Sequence, residues 1–425
     1  MTKLRPLITY SLAAGLAGLI ASTAFAQSVV LKADRMLDVE TGRIIRPAVI
    51  VIEGELITAV NPAELPDDAE ILDFGDMTLL PGLMDMHTHL CYDLEGDWVN
   101  RAVREGAADA ALRGSRNAMI TLLAGFTTVR DVGAGGFADI SLMRAIDNGI
   151  VAGPRMFPAG HSLGITGGHC DATGYAPGIL EQGPEQGIAD GVAEVLRATR
   201  YQIKHGAKVI KICATAGVLS FEGSVGAQQY SEEEMRVIVE EAARHGLKVA
   251  AHAHGTEGII AAIRAGVASI EHGSMLDGEA ISLMKARGTY LVPTSYLVDA
   301  INLDNLPPPI RAKAEYILPL ARKSLSRAIQ SGVKIAFGTD AAVYPHGDNA
   351  REFAVYVKQG MSPIEAIRSA TIHAADLLGV DDRGVIAEGK LADIIGVAGN
   401  PLEDVTLLEN VRFVMKGGKV YKGGE

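Results

Sequence analysis

A chain of 425 residues with 48% hydrophobic and 21% charged residues has the balance of a folded enzyme, which excludes wholesale disorder. It is long enough for two domains, or for one large barrel with an accessory piece. With 39 Lys and Arg against 51 Asp and Glu, the formal charge is −12, and the basic excess of a nucleic-acid binder is missing; three cysteines (Cys91, Cys170, Cys213) exclude a disulfide framework.

Residues 1–26 read as a signal peptide. Lys3 and Arg5 precede an apolar run from Leu7 to Ile20, and Ala24-Phe25-Ala26 fits a small-x-small cleavage site. The alternative, a membrane anchor, needs about 20 apolar residues, more than this run supplies. Cleavage after Ala26 would place the protein in a periplasm or outside the cell, and losing Lys3 and Arg5 takes the charge from −12 to −14. No later stretch is long and apolar enough to span a bilayer, so no membrane partner is expected.

Short β-branched runs follow: Val29–Leu31, Ala48–Ile52 and Leu56–Val60. The C-terminal end repeats the pattern at Ala392–Val397, Val411–Val414 and Lys419–Tyr421, around a Gly417-Gly418 turn. Two β-rich ends predict one small β-sandwich domain from residues 27–80 plus 380–425.

Between them, residues 81–379 hide a repeat in which helical stretches end in Gly and an apolar strand follows at once. The seven junction glycines are Gly125, Gly149, Gly206, Gly246, Gly266, Gly288 and Gly332, each placed where a helix exit favours a left-handed residue. With a strand at Thr78–His89, the count is eight. The fold class is therefore α/β, a (β/α)8 TIM barrel carrying the small sandwich. An open doubly wound sheet is the alternative, but Gly133-Ala134-Gly135-Gly136 lacks dinucleotide-motif spacing.

Eleven histidines carry the chemistry. His87 and His89 lie two apart at the end of strand one, so alternation turns both imidazoles to one face. His252 and His254 repeat this on strand five. His272 ends strand six and Asp340 ends strand eight. Such barrels keep their active sites at C-terminal strand ends, and imidazoles converging there with a carboxylate suit zinc. His205 and His245 precede helix-ending glycines on the opposite face and read as structural. His346 and His373 show no role, while His169, in a Gly-rich loop, fits a substrate contact or plain exposure equally.

On strand four, Lys211 sits among apolar β-residues, where burial depresses its pKa. A neutral amine can react with carbon dioxide to give a carbamate whose two oxygens suffice to bridge two metals. Lys208 competes but falls at the strand start, toward the wrong end of the barrel.

Leu80-Pro81-Gly82-Leu83-Met84-Asp85-Met86-His87-Thr88-His89, Lys211, His252, His272 and Gly338-Thr339-Asp340 together resemble the metal-dependent amidohydrolase superfamily. Gly384–Asp393 is similar to that family's return into its sandwich. Within it, the chain is most similar to the binuclear zinc branch of prolidase-like carboxydipeptidases and ochratoxin-hydrolysing amidases; Lys211 argues against the mononuclear imidazolonepropionase-like group. The resemblance implies two zinc ions per chain. His87, His89 and Asp340 would hold one, His252 and His272 the other, and N6-carboxylated Lys211 would bridge them. It further implies attack by a hydroxide shared between the metals, with Asp340 moving the proton and His254 polarising the carbonyl or contacting substrate. His161 would face the same cleft. Tyr230 would bind a substrate carboxylate or simply pack as a core aromatic. By the same analogy a homo-oligomer is expected.

The expected function is hydrolysis of an amide or peptide bond beside a free carboxylate in a small molecule. A cyclic-amide or ester hydrolase on the same scaffold is a second reading, and a non-catalytic solute-binding protein a third.

Overall fold

The computed structural model describes residues 28–424; the segment read above as a signal peptide lies outside them. The N-terminal strands are β1 (Val29–Ala33), β2 (Arg35–Asp38), β3 (Arg43–Ile45), β4 (Ala48–Glu53), β5 (Leu56–Val60), β6 (Glu70–Asp73) and β7 (Met77–Pro81). The barrel contributes β8 (Leu83–Thr88), β9 (Phe126–Asp131), β10 (Arg155–Pro158), β11 (Ile210–Cys213), β12 (Val249–Ala253), β13 (Ser269–His272) and β14 (Tyr290–Val292). The chain ends with β15 (Ile394–Ala398), β16 (Phe413–Lys416) and β17 (Lys419–Lys422).

Both ends build one sandwich. One sheet runs β5-β4-β1-β6 and the other β17-β16-β15-β7-β2-β3, so the C-terminal β15 pairs antiparallel with the N-terminal β7. Leu31, Ile50, Ile52, Leu79, Ile394 and Phe413 bury their apolar faces between the two sheets. The returning segment is tied down by Ile57 N–H donating to Lys390 O and Ala392 N–H to Glu55 O, both at 2.8 Å.

Parallel pairing runs through β8, β9 and β10 and again from β11 to β14. Lys208 N–H donates to Pro158 O and Leu163 N–H to Lys211 O, joining the two arcs at 2.8 Å. Residues 334–337 take the eighth place: Leu291 N–H bonds Lys334 O and Met86 N–H bonds Phe337 O, each at 2.8 Å. The barrel is thereby closed. The seven junction glycines all take positive φ, from 69° to 113°, at the exits of the helices that precede these strands.

The expected strand Thr78–His89 is in fact two, split at Gly82 between the sandwich strand β7 and the barrel strand β8. A Cβ at Gly82 would lie 2.2 Å from Thr127 Oγ1 and 2.6 Å from Thr127 Cγ2, so only glycine lets the chain cross from one core to the other. Gly82→Ala is expected to destabilise the fold by about 1–3 kcal/mol through overpacking, seen as a lower unfolding midpoint by calorimetry. Strand three also differs, starting at Arg155 and leaving Ile150 exposed just after Gly149. Cysteine use needs a correction as well. There is no framework, but Cys170 and Cys213 form one bridge while Cys91 stays free and buried, because the loop after β10 folds back over β11. No helix among the described residues is long and apolar enough to cross a membrane.

Candidate metal centre

A cavity of about 650 Å³ opens at the C-terminal ends of the barrel strands. His87, His89, Lys211, His252, His254, His272 and Asp340 all line it. Period-2 alternation puts His252 and His254 on one face of β12 and its extension, and the ladder sets Ala253 opposite His272 of β13. Nitrogen atoms of His252, His254 and His272 lie within 4.8 Å of one another, and His87, His272 and an Asp340 oxygen form a second such group. His89 joins through Asp340, whose Oδ1 is 3.6 Å from His89 Nε2 and 3.5 Å from His87 Nε2.

Four of the five histidine rings are held from behind. His87 Nδ1 lies 2.7 Å from Glu271 Oε2, and Glu271, fully buried, accepts in turn from Arg130 at 2.8 Å. His89 Nδ1 donates to Gly133 O at 3.0 Å, and this bond leaves Nε2 as the free lone pair. His254 Nδ1 meets Ser274 Oγ at 2.8 Å and His272 Nδ1 meets Thr294 Oγ1 at 2.7 Å. His272 and Asp340 take left-handed φ values of 69° and 59°, uncommon for such residues and concentrated here at two strand ends.

Burial decides the protonation states. It holds His89 down at about 4 and His254 at about 3, and keeps His87, His252 and His272 well below the usual imidazole range. Burial also pushes Asp340 up to about 7 and lowers Lys211 to about 8, the latter against the pull of Glu271 and Asp340. Neutral imidazoles beside a carboxylate are the donors a divalent cation takes, and His252 Nε2 is buried with no hydrogen-bond partner among the described residues. The donor set fits a metal. Glu271→Gln is expected to weaken metal binding about 10–100-fold by loosening His87, as measured by chelator competition.

Two expected substrate contacts differ. Tyr230 is fully buried, its hydroxyl donating to Ala189 O at 3.2 Å, and it does not line the cavity, so it follows the packed-aromatic alternative. His161 lines the cavity, but Gln202 Oε1 at 3.2 Å and the Gly136 N–H at 2.9 Å engage both ring nitrogens. Sequence reasoning missed Glu271 and Arg130, whose only signal was charge inside strands that should be apolar.

An amidohydrolase family model matches residues 78–421, spanning the barrel and both strands that lead into and out of it. The chain belongs to the amidohydrolase family. An ochratoxinase of Aspergillus niger is 37% identical over 435 aligned positions, covering 95% of this chain and 88% of that protein. Among solved structures, a Xaa-Pro dipeptidase with methionine bound in its active site is 40% identical with a TM-score of 0.89, covering 93% of this chain and all of the other. A prolidase complexed with N-methylphosphonate-L-proline is 34% identical, with a TM-score of 0.85 and the same coverage of both chains. This amidohydrolase thus falls in the prolidase and ochratoxinase branch, and its reaction class is hydrolysis of a C–N bond.

Proposed function

We propose that this amidohydrolase cleaves an amide or peptide bond adjacent to a free carboxylate in dipeptides, N-acyl amino acids or ochratoxin-type amides. One observation carries the reading: seven side chains able to bind metal or move protons line a single cavity, in a chain most of whose length matches enzymes of that kind. The volume, about 650 Å³, suits a substrate of dipeptide size or larger.

We assign His87, His89 and Asp340 to one zinc ion, His252 and His272 to a second, and carboxylated Lys211 to the bridge between them. Zinc at these positions would supply a Lewis acid and make water acidic enough to ionise near neutral pH. Asp340 accepts the proton of the attacking water and passes it to the leaving amine. Burial raises its carboxyl to about 7, and a cation held beside it would draw the value down and favour the ionised form that accepts a proton. When Ser274 donates to His254 Nδ1, Nε2 carries the proton and can hydrogen-bond the substrate carbonyl oxygen.

A screen of dipeptides and N-acyl amino acids against zinc-loaded protein tests the reading. Turnover with about two zinc ions per chain is expected, and a fully loaded protein that cleaves no amide would refute it. We also propose export with cleavage after Ala26. The Cys170–Cys213 bridge supports an oxidising destination, and N-terminal sequencing from the native host should begin at Gln27. An intact Met1 on most molecules would contradict it.

A further inference from the structure

The metal-binding side chains account for only part of the cavity lining. Loops beyond the strand ends add a second group: Trp98 after β8, Val218 after β11, Leu297 and Ile301 after β14, and Leu318 and Ala321 further along the same connection. All six are apolar and only half-buried, so each leaves part of its surface uncovered. Together they form an apolar wall in the same cavity as the metal centre.

The wall has a fixed backing. Ala314, Ile317, Leu318 and Ala321 line the cavity at i, i+3, i+4 and i+7 of the helix Pro308–Gln330, the spacing of a single helix face. Leu306, Ile310 and Ala314 make a small core of their own, apart from the barrel core, and Trp98, Val218, Ile301 and Leu318 pack against it. Trp98 is the only tryptophan of the chain. Ala321, the smallest of the half-buried set, leaves space beside Leu318.

The charges around this wall cancel. Arg101, whose N–H donates to Trp98 O at 3.3 Å, holds Nη1 2.9 Å from Asp93 Oδ1. Arg113 Nε lies 3.3 Å from Asp93 Oδ2, and its guanidinium also pairs with Glu105. All four line the cavity. An ionic side chain entering here would give up water without meeting an unpaired partner. An apolar group would instead displace water from Trp98, Leu297 and Leu318, which favours its burial.

We propose that this wall is a specificity subsite for a bulky apolar group, an aromatic ring or a branched aliphatic chain, on one side of the scissile amide. The assignment rests on the amide-hydrolase reading above and narrows it, since amides with only small or charged groups beside the bond would be poor substrates.

The test is a panel in two series: N-acetyl derivatives of glycine, leucine, phenylalanine, glutamate and lysine, and glycine carrying acetyl, isovaleryl, benzoyl or succinyl groups. Zinc-loaded wild type, Ala321→Phe and Leu318→Asn are compared by kcat/KM and zinc content. In at least one series the apolar members are expected to exceed the small and charged ones by at least about tenfold. Ala321→Phe fills the space the group would take, and Leu318→Asn puts an amide on the wall. Either is expected to cut that ratio about tenfold with zinc retained, and the unfolding midpoint reports whether each variant is folded. Turnover without an apolar preference in either series, or with a preference for a charged member, would overturn the subsite and leave the amide-hydrolase reading standing. A preference that both folded variants keep would overturn it too. If loaded wild type cleaves no member of the panel, the proposed function itself falls, and the subsite with it.

Discussion

Lys211→Ala is expected to bind about one zinc per chain in place of two and to lose nearly all amide hydrolysis while remaining folded. The side chain is buried on β11 at the centre of the donor set, and burial lowers its pKa to about 8 against the opposing charges of Glu271 and Asp340. A buried amine with weakened basicity spends more time neutral, the state that carbon dioxide attacks. Removing it deletes the only side chain proposed to be shared by both metals. The sandwich core and the closing hydrogen bonds of the barrel do not involve its side chain, so circular dichroism should change little. Metal analysis beside turnover decides the matter: a Lys211→Ala protein with both metals and normal rate would end the bridging assignment. Lys208 is no substitute, because it is exposed and its backbone faces Pro158 at the start of the strand.

Asp340→Asn and His254→Ala should separate the two roles that the metal centre brings close together. Asn keeps the size of Asp340 but cannot accept a proton, so kcat should fall by at least about 10², with KM changing less. His254→Ala should keep its zinc while losing a hydrogen bond to the developing oxyanion, a loss of about 10²–10³ in rate. His254 belongs with His252 and His272 to one group whose nitrogens lie within 4.8 Å of one another, so metal content and rate have to be read together. Loss of zinc from His254→Ala with retention in His252→Ala would exchange their roles. Normal turnover by both Asp340→Asn and His254→Ala would move the hydrolytic site elsewhere.

Much of this was legible in the sequence because it depends on local periodicity. Two-residue alternation places His87 with His89, and His252 with His254, on one face of a strand whatever the strand pairs with. A glycine after each helix marks the helix exit from backbone sterics alone, and all seven junctions take the left-handed conformation. Eight strands between two β-rich ends then leave few architectures; strand ends locate His272 and Asp340, and a lysine inside an apolar strand marks Lys211.

Contacts that exist only once the barrel is closed were not legible. The Arg130–Glu271–His87 chain joins β9, β13 and β8, residues 141 and 184 positions apart, and no local pattern encodes it. The break at Gly82 appears only when Thr127 of β9 presses against it. Tyr230 leaves the cavity because the loop it heads turns its hydroxyl toward Ala189, a partner 41 positions away. The Cys170–Cys213 bridge and the Gly217–His169–His252 stack arise where two long loops meet over β11. Spacing along the chain determines which side chains share a face; which neighbour holds each ring, and so which nitrogen stays free, is decided only when distant strands and loops pack together.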